Sequence, residues 1–260
     1  MMPVWATHII DEENVGDMVC CPADYFDLPV AGRVDFRSLL ADPLPEEGCI
    51  IFGGGGLLHG EYVAIFERLE RKPNRKLIAW GLGLNLHGEL ELDYRTWLDV
   101  FDFVGVRDYQ SRFRYIPCVS CCHPAFDQIR SAPRYEAVIY EQRLGPIILD
   151  GAPKWPVLNN RKRPNEFQAV LDFLASGETV ITNSYHGACW ALLLGRKVVI
   201  YKPFSSRFHG LKPAVQFCAE HDWRDKIAKA ERAPSNYLDE CRVLNAAFFR
   251  EASSLLRVAV

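Results

Sequence analysis

Short apolar runs alternate with amphipathic stretches along this chain, and polar or glycine-rich turns separate them. Val4 to Ile10, Cys49 to Phe52, Leu77 to Trp80 and Phe103 to Val106 read as strands. They lead into Asn14-Val15-Gly16-Asp17, Gly53-Gly54-Gly55-Gly56, Gly81-Leu82-Gly83 and Arg107-Asp108. Helices are expected over Met18 to Phe26, with Pro22 confined to the first turn, over Gly60 to Arg71, over Tyr94 to Val100, and opening at Tyr109 to Arg114. The alternation restarts with strands at Ala137 to Tyr140 and Ile147 to Leu149, then a long loop from Gly151 to Pro164 and a helix over Glu166 to Ala175. Thr179 to Thr182 is a strand, Ala188 to Leu194 a helix and Lys197 to Tyr201 a strand. The tail reads as helices at Leu211 to Glu220 and Tyr237 to Leu256.

Strand and helix in regular succession predict an α/β fold with mostly parallel sheets. The two series meet at Ser131 to Arg134, a break marked by Pro133, which divides the chain into residues 1–132 and 133–260. The expected architecture is two Rossmann-like halves facing each other across a cleft, with ligands at the carboxyl ends of the strands.

Composition narrows the function classes. A chain of 260 residues with 49% hydrophobic content can bury a substantial core, and its net charge of −3 is spread without a basic face, so nucleic acid is not an expected partner. No run approaches the about eighteen apolar residues needed to span a bilayer. Asp11, Glu12 and Glu13 stand where a leader needs an apolar stretch, so the chain is expected to be cytoplasmic, with at most peripheral membrane association. Nine cysteines, an odd number scattered over the length, point to reduced thiols. Cys118-Val119-Ser120-Cys121-Cys122-His123 carries zinc-ligand residue types, yet neighbours on an extended segment point in opposite directions, and no metal is expected.

The chemistry concentrates at Asn183-Ser184-Tyr185-His186-Gly187, between a strand and a helix. Glycine permits close backbone approach there, and the first N–H groups of the helix favour an anion beside the imidazole. An isolated His-Gly is otherwise an ordinary helix start. Together with Leu192-Leu193-Leu194-Gly195-Arg196-Lys197-Val198, however, Ser184-Tyr185-His186-Gly187 resembles the signature of the polysaccharide pyruvyl transferase family, whose loop has an Arg-Leu-His-Gly or Ser-Phe-His-Gly form. Asn14-Val15-Gly16-Asp17 is similar to the family's Asn-x-Gly-Asp, and Val104 to Ser111 to its Val-x-Val-Arg-Asp-x-x-Ser. The glycine turn after Phe52 fits as well, and His123-Pro124-Ala125 resembles its Asp-Pro-Ala, with His123 replacing the acid. The resemblance runs in scattered motifs from about Asn14 to about Arg224.

The resemblance implies a GT-B-like architecture, with the acceptor on the N-terminal half and the donor on the C-terminal half. It implies no cofactor, with phosphoenolpyruvate as co-substrate and a sugar or lipid-linked oligosaccharide as acceptor. The donor carries a carboxylate and a phosphate, and its enol carbon must be protonated before a sugar hydroxyl attacks. Arginine suits the anions and histidine the acid. Ser184 stands where the family's arginine would be, so the missing cation must come from elsewhere. Arg207 is the first choice, with Lys202 and His209 behind it. The expected site therefore comprises His186, Arg207 and Asp17 as catalytic residues. Arg107, Asn183, Ser184, Tyr185, Gly187, Lys202 and His209 are expected to bind the donor, and Asn14, Gly54, Gly55 and Glu141 the acceptor. Either Asp17 or Glu141 takes the hydroxyl proton. A sugar-nucleotide glycosyltransferase and a non-catalytic glycan-binding member are the alternatives. Against the first, the C-terminal half lacks a pair of glutamates eight residues apart of the kind many such enzymes use.

Overall fold

The structure is a computed structural model that describes residues 2–87, 94–109, 111–129, 132–142, 145–160 and 166–257. Its first part comprises β1 (Val4–His8), α1 (Val15–Met18), β2 (Val30–Asp35), β3 (Gly48–Gly53), α2 (Val63–Glu67), β4 (Arg75–Leu82), α3 (Tyr94–Leu98) and β5 (Phe103–Val106). The second comprises β6 (Tyr135–Glu141), β7 (Val157–Asn159), α4 (Phe167–Ala175), β8 (Gly177–Thr182), α5 (Tyr185–Leu193), β9 (Lys197–Tyr201), β10 (Gln216–Cys218), α6 (Trp223–Lys229) and α7 (Tyr237–Arg257).

Two five-stranded sheets result, in the orders β2-β1-β3-β4-β5 and β10-β9-β8-β6-β7. Among the described residues, neighbouring strands within both sheets pair in parallel. Counted from its own first strand, each sheet has the order 2-1-3-4-5, so each reverses direction once, between β1 and β3 in one and between β6 and β8 in the other. The α/β expectation of two Rossmann-like halves holds. The central strands are near-continuous apolar runs, as parallel strands covered on both faces require; all six residues of β3 are buried. Among the described residues no helix is long and apolar enough to cross a membrane.

Several expected elements differ. The helix at Met18 to Phe26 is replaced by α1, which ends at Met18, and a 3₁₀ turn at Pro22–Asp24, because Pro22 has no N–H to continue a helix. Gly60 to Arg71 divides into a 3₁₀ turn (Gly60–Tyr62) and α2. Ile147 to Leu149 is no strand; β7 lies inside the stretch expected to be loop. Leu211 to Glu220 carries Pro213 and forms β10 rather than a helix. Among the described residues of Tyr109 to Arg114 there is no helix; Val106 N–H instead bonds back to Arg114 O at 2.9 Å. β2 and α6 were not expected. Ser131 and Pro164 lie outside the described residues.

α7 joins the parts. Its first turns place Tyr237 and Cys241 with the core around β6, β8 and α5, and its last turns place Phe248, Ala252 and Leu256 against Ile51, Ile78 and Trp80 of the first sheet. Asn245, fully buried between them, accepts from Trp80 Nε1 at 2.9 Å and donates to Pro117 O at 3.2 Å and Cys241 O at 3.1 Å. Arg114 and Glu251 add a two-pronged ion pair at 2.7 and 2.8 Å.

Removing one partner from such a network strands the others. Asn245→Leu should cost about 2–4 kcal/mol in urea unfolding, and adding Trp80→Phe should recover part of it, since removing both partners leaves fewer unpaired groups.

Candidate functional site

The strand order sets the location. Loops that leave the carboxyl ends of strands flanking a reversal diverge and open a crevice. Here the loops after β1 and β3 meet those after β6 and β8. Between them lies a cavity of about 60 Å³ lined by Asn14, Asp17, Gly56 and Arg107 from the first part, and Gln142, Asn160, Ser184, Tyr185, His186 and Arg207 from the second.

His186 sits in the first turn of α5, which begins at Tyr185 instead of at Ala188. Ser184 is the N-cap, its Oγ accepting from Gly187 N at 3.3 Å. A Cβ on Gly16 would fall 2.1 Å from His186 Nδ1, so the imidazole lies flush against the turn that carries Asn14 and Asp17. Trp190 stacks on the ring with centroids 5.1 Å apart. Burial, then the positive charges of Arg107 and Arg207, hold the imidazole well below its ordinary pKa, so it is neutral at pH 7.

The two guanidinium groups are the main charges here. Arg107 is 3% exposed and lies over the Tyr185 ring, its Cζ 3.7 Å from the centroid. A Cβ on Gly83 would come within 2.0 Å of Arg107 Nε, so only glycine leaves room for this side chain. Arg107 Nε and Nη1 and Arg207 Nε are buried without a hydrogen-bond partner, as is Asn160 Oδ1. Buried polar atoms are nearly always paired. Four unpaired ones are concentrated on three residues that line this one cavity. Burial, then repulsion from Arg107, lowers the pKa of Arg207 to about 10.

Asp17 faces these cations, with its Oδ2 2.6 Å from Asn14 Nδ2. Burial raises its pKa to about 6, assisted by Asp11 and opposed by Arg107, the Asn14 hydrogen bond and Arg207. It is thus poised to exchange a proton near neutrality.

Of the expected residues, the structure brings Asn14, Asp17, Arg107, Ser184, Tyr185, His186 and Arg207 to the cavity wall, and the others elsewhere. Asn183 pins the loop after β6, accepting from Gln142 N at 2.6 Å and donating to Gly145 O at 3.1 Å. Glu141 accepts from Ile147 N at 2.9 Å and from Asn159 Nδ2 at 3.4 Å, which uses it as a loop staple. Lys202 pairs with Glu220, and His209 packs on Phe217 at 4.9 Å. The missing Cβ of Gly187 makes room for Tyr140, and that of Gly54 (φ 66°) for Cys20. Gly55 does not line the cavity.

Gly56, Gln142 and Asn160 were not expected. Each follows a strand end. His123, standing where the resembled pattern has an acid, accepts from Ala125 N at 3.1 Å and caps the 3₁₀ turn Pro124–Gln128, a role that a carboxylate fills equally well.

A comparison with curated proteins finds no match. Among solved structures, a functionally uncharacterised protein of Klebsiella pneumoniae subsp. pneumoniae is similar, at 19% identity over 80% of this chain and 85% of that one, with a TM-score of 0.47. Residues 14–203 match the family model described as polysaccharide pyruvyl transferase. That span holds Asn14, Asp17, Arg107 and His186, and Arg207 lies just beyond it. With well over half of its length matched, the chain belongs to the polysaccharide pyruvyl transferase family.

Proposed function

We propose that this protein transfers the pyruvyl group of phosphoenolpyruvate to a sugar of a cell-surface polysaccharide precursor, forming a pyruvate ketal and releasing inorganic phosphate. The observation that carries this reading is the convergence of His186, Arg107 and Arg207 on one cavity. The donor presents two anionic groups, and planar guanidinium forks with unused N–H groups suit both.

In this reading the arginines hold the carboxylate and the phosphate, and His186 gives a proton to the methylene carbon. That leaves the neighbouring carbon electron-poor. A sugar hydroxyl adds there and loses its proton to Asp17, the bond to the phosphate oxygen breaks with the electron pair leaving on phosphate, which takes the proton from Asp17, and a second hydroxyl closes the ketal and returns its proton to His186. The sum is donor plus diol giving ketal plus phosphate. A neutral imidazole is a poor acid. Burial, then the two arginines, keeps His186 in that state, and the negative charges of a bound donor oppose the arginines and attract a proton to the ring, so proton uptake accompanies donor binding in this reading.

This is testable without knowing the acceptor. Titration calorimetry with phosphoenolpyruvate at pH 7, repeated in buffers of different ionisation enthalpy, should show net proton uptake in the wild type and none in His186→Gln. Absence of donor binding would overturn the reading. Once an acceptor is found, His186→Ala and Arg207→Ala should each lower phosphate release by about 10²–10⁴-fold.

Gly16→Ala should leave the fold intact but push the imidazole aside, lowering turnover by about 100-fold with donor affinity little changed. Asp17→Asn should abolish turnover yet stabilise the protein. The folded-state pKa of Asp17 is raised from 3.8 to about 6, so the cost of its buried charge is absent below pH 3.8 and complete above pH 6. Thermal melts should accordingly show a gain of about 1–3 kcal/mol at pH 8 that disappears by pH 4.

A further inference from the structure

Behind His186 runs a chain of side chains that the transfer chemistry leaves unused. Trp190 stacks on the imidazole with the planes 20° apart, four residues on and therefore on the same helix face. The same indole donates from Nε1 to Ser120 Oγ at 3.0 Å. Ser120 Oγ is 3.2 Å from Cys118 Sγ, and Cys118 Sγ is 3.8 Å from His186 Nε2. Trp190, Ser120 and Cys118 are all at most 1% exposed, so water does not compete for these contacts.

The direction of the chain follows from what each group can do. An indole N–H only donates, so the Ser120 oxygen accepts and its hydroxyl proton is free for the sulfur. The sulfur accepts that proton's hydrogen bond, and its own S–H is left for Nε2. A neutral imidazole that accepts at Nε2 carries its hydrogen on Nδ1. Nδ1 is the nitrogen on the Gly16 side, against the turn that also carries the cavity-lining Asn14 and Asp17.

The geometry points to Cys118 as a positioning residue for His186: with Ser120 and Trp190 behind it, the thiol selects the Nδ1–H tautomer and turns that N–H towards the cavity. The catalytic consequence, a proton held at the nitrogen that faces an enol donor, rests on the pyruvyl-transfer reading. The tautomer does not. Once the ring is charged, sulfur can accept from Nε2–H instead, so the contact survives both protonation states. A methyl group at this position offers neither.

The experiment is nitrogen-15 NMR of the full chain with labelled histidine, the seven histidines being separated by the loss of one set of signals in His186→Gln. At pH 8 the wild type should show His186 with Nδ1 protonated and Nε2 bare. Cys118→Ala and Ser120→Ala should both admit the other tautomer, and Cys118→Ser should largely keep the first. In turnover, Cys118→Ala should lower kcat by about tenfold at unchanged donor KM, with recovery in Cys118→Ser. A wild-type His186 protonated at Nε2 overturns the inference without any variant having to fold, as does an unaltered tautomer in both alanine variants. Correct tautomer without pyruvyl transfer would sink the function and spare the positioning; the reverse would do the opposite.

Discussion

A guanidinium group buried between two sheets, with two of its nitrogens unpaired, is the constraint on which the site depends. Charges leave water only at a cost of several kcal/mol unless they are compensated. Arg107 receives the face of Tyr185 and the proximity of Asp108, whose own pKa burial raises to about 6. Neither supplies a partner for Nε or Nη1. The remainder of the fold has to hold this arrangement in place, and α7 does so by packing on both sheets, with Asn245 tied to Trp80 and Pro117 of the first part. Stability built into a strap that is remote from the cavity supports a site that is itself unfavourable.

The glycines of the site serve the protein's own side chains. Gly83 makes room for Arg107 and Gly16 for His186, and Gly54 for Cys20. A glycine-rich turn after a strand suggests a phosphate cradle, because the residue type announces close approach without saying what approaches. Here the approaching atoms belong to the chain. The electrostatic work falls to arginine instead, which is consistent with a ligand bound by side-chain forks rather than by backbone amides.

Parallel strands buried on both faces were legible because their apolar runs are continuous. β2 and β10 were not: Val30–Asp35 carries Gly32 and Arg33 on a half-exposed edge, and Gln216–Cys218 is three residues long behind Pro213. In the site, residues that follow a strand directly were legible from position plus chemistry, as with Asp17, Arg107 and His186. Glu141 and Asn183 stand at strand ends with apt functional groups, yet both already accept from backbone N–H groups of the loop after β6, Glu141 from Ile147 and Asn183 from Gln142. Gln142 and Asn160 are neutral and were passed over, although an amide is as able as an acid to meet a guanidinium or a hydroxyl.

The exchange of an arginine for Ser184 has a mechanical consequence. A cation at the start of α5 would be rigidly part of the second sheet. Arg207 lies instead on a 3₁₀ turn (Ser206–Phe208), capped by Ser205, whose neighbours are bound to the first half. Ser205 Oγ is 2.7 Å from Asn85 Oδ1, Ser206 N bonds to Leu86 O at 2.9 Å, and Tyr109 N bonds to Gly210 O at 2.9 Å. Gly210 also fits against Asp108 with no space for a side chain. The second cation is therefore positioned by both halves at once. The distance between Arg107 and Arg207 is thereby fixed by contacts from both halves, and their charges add to the burial that keeps His186 neutral.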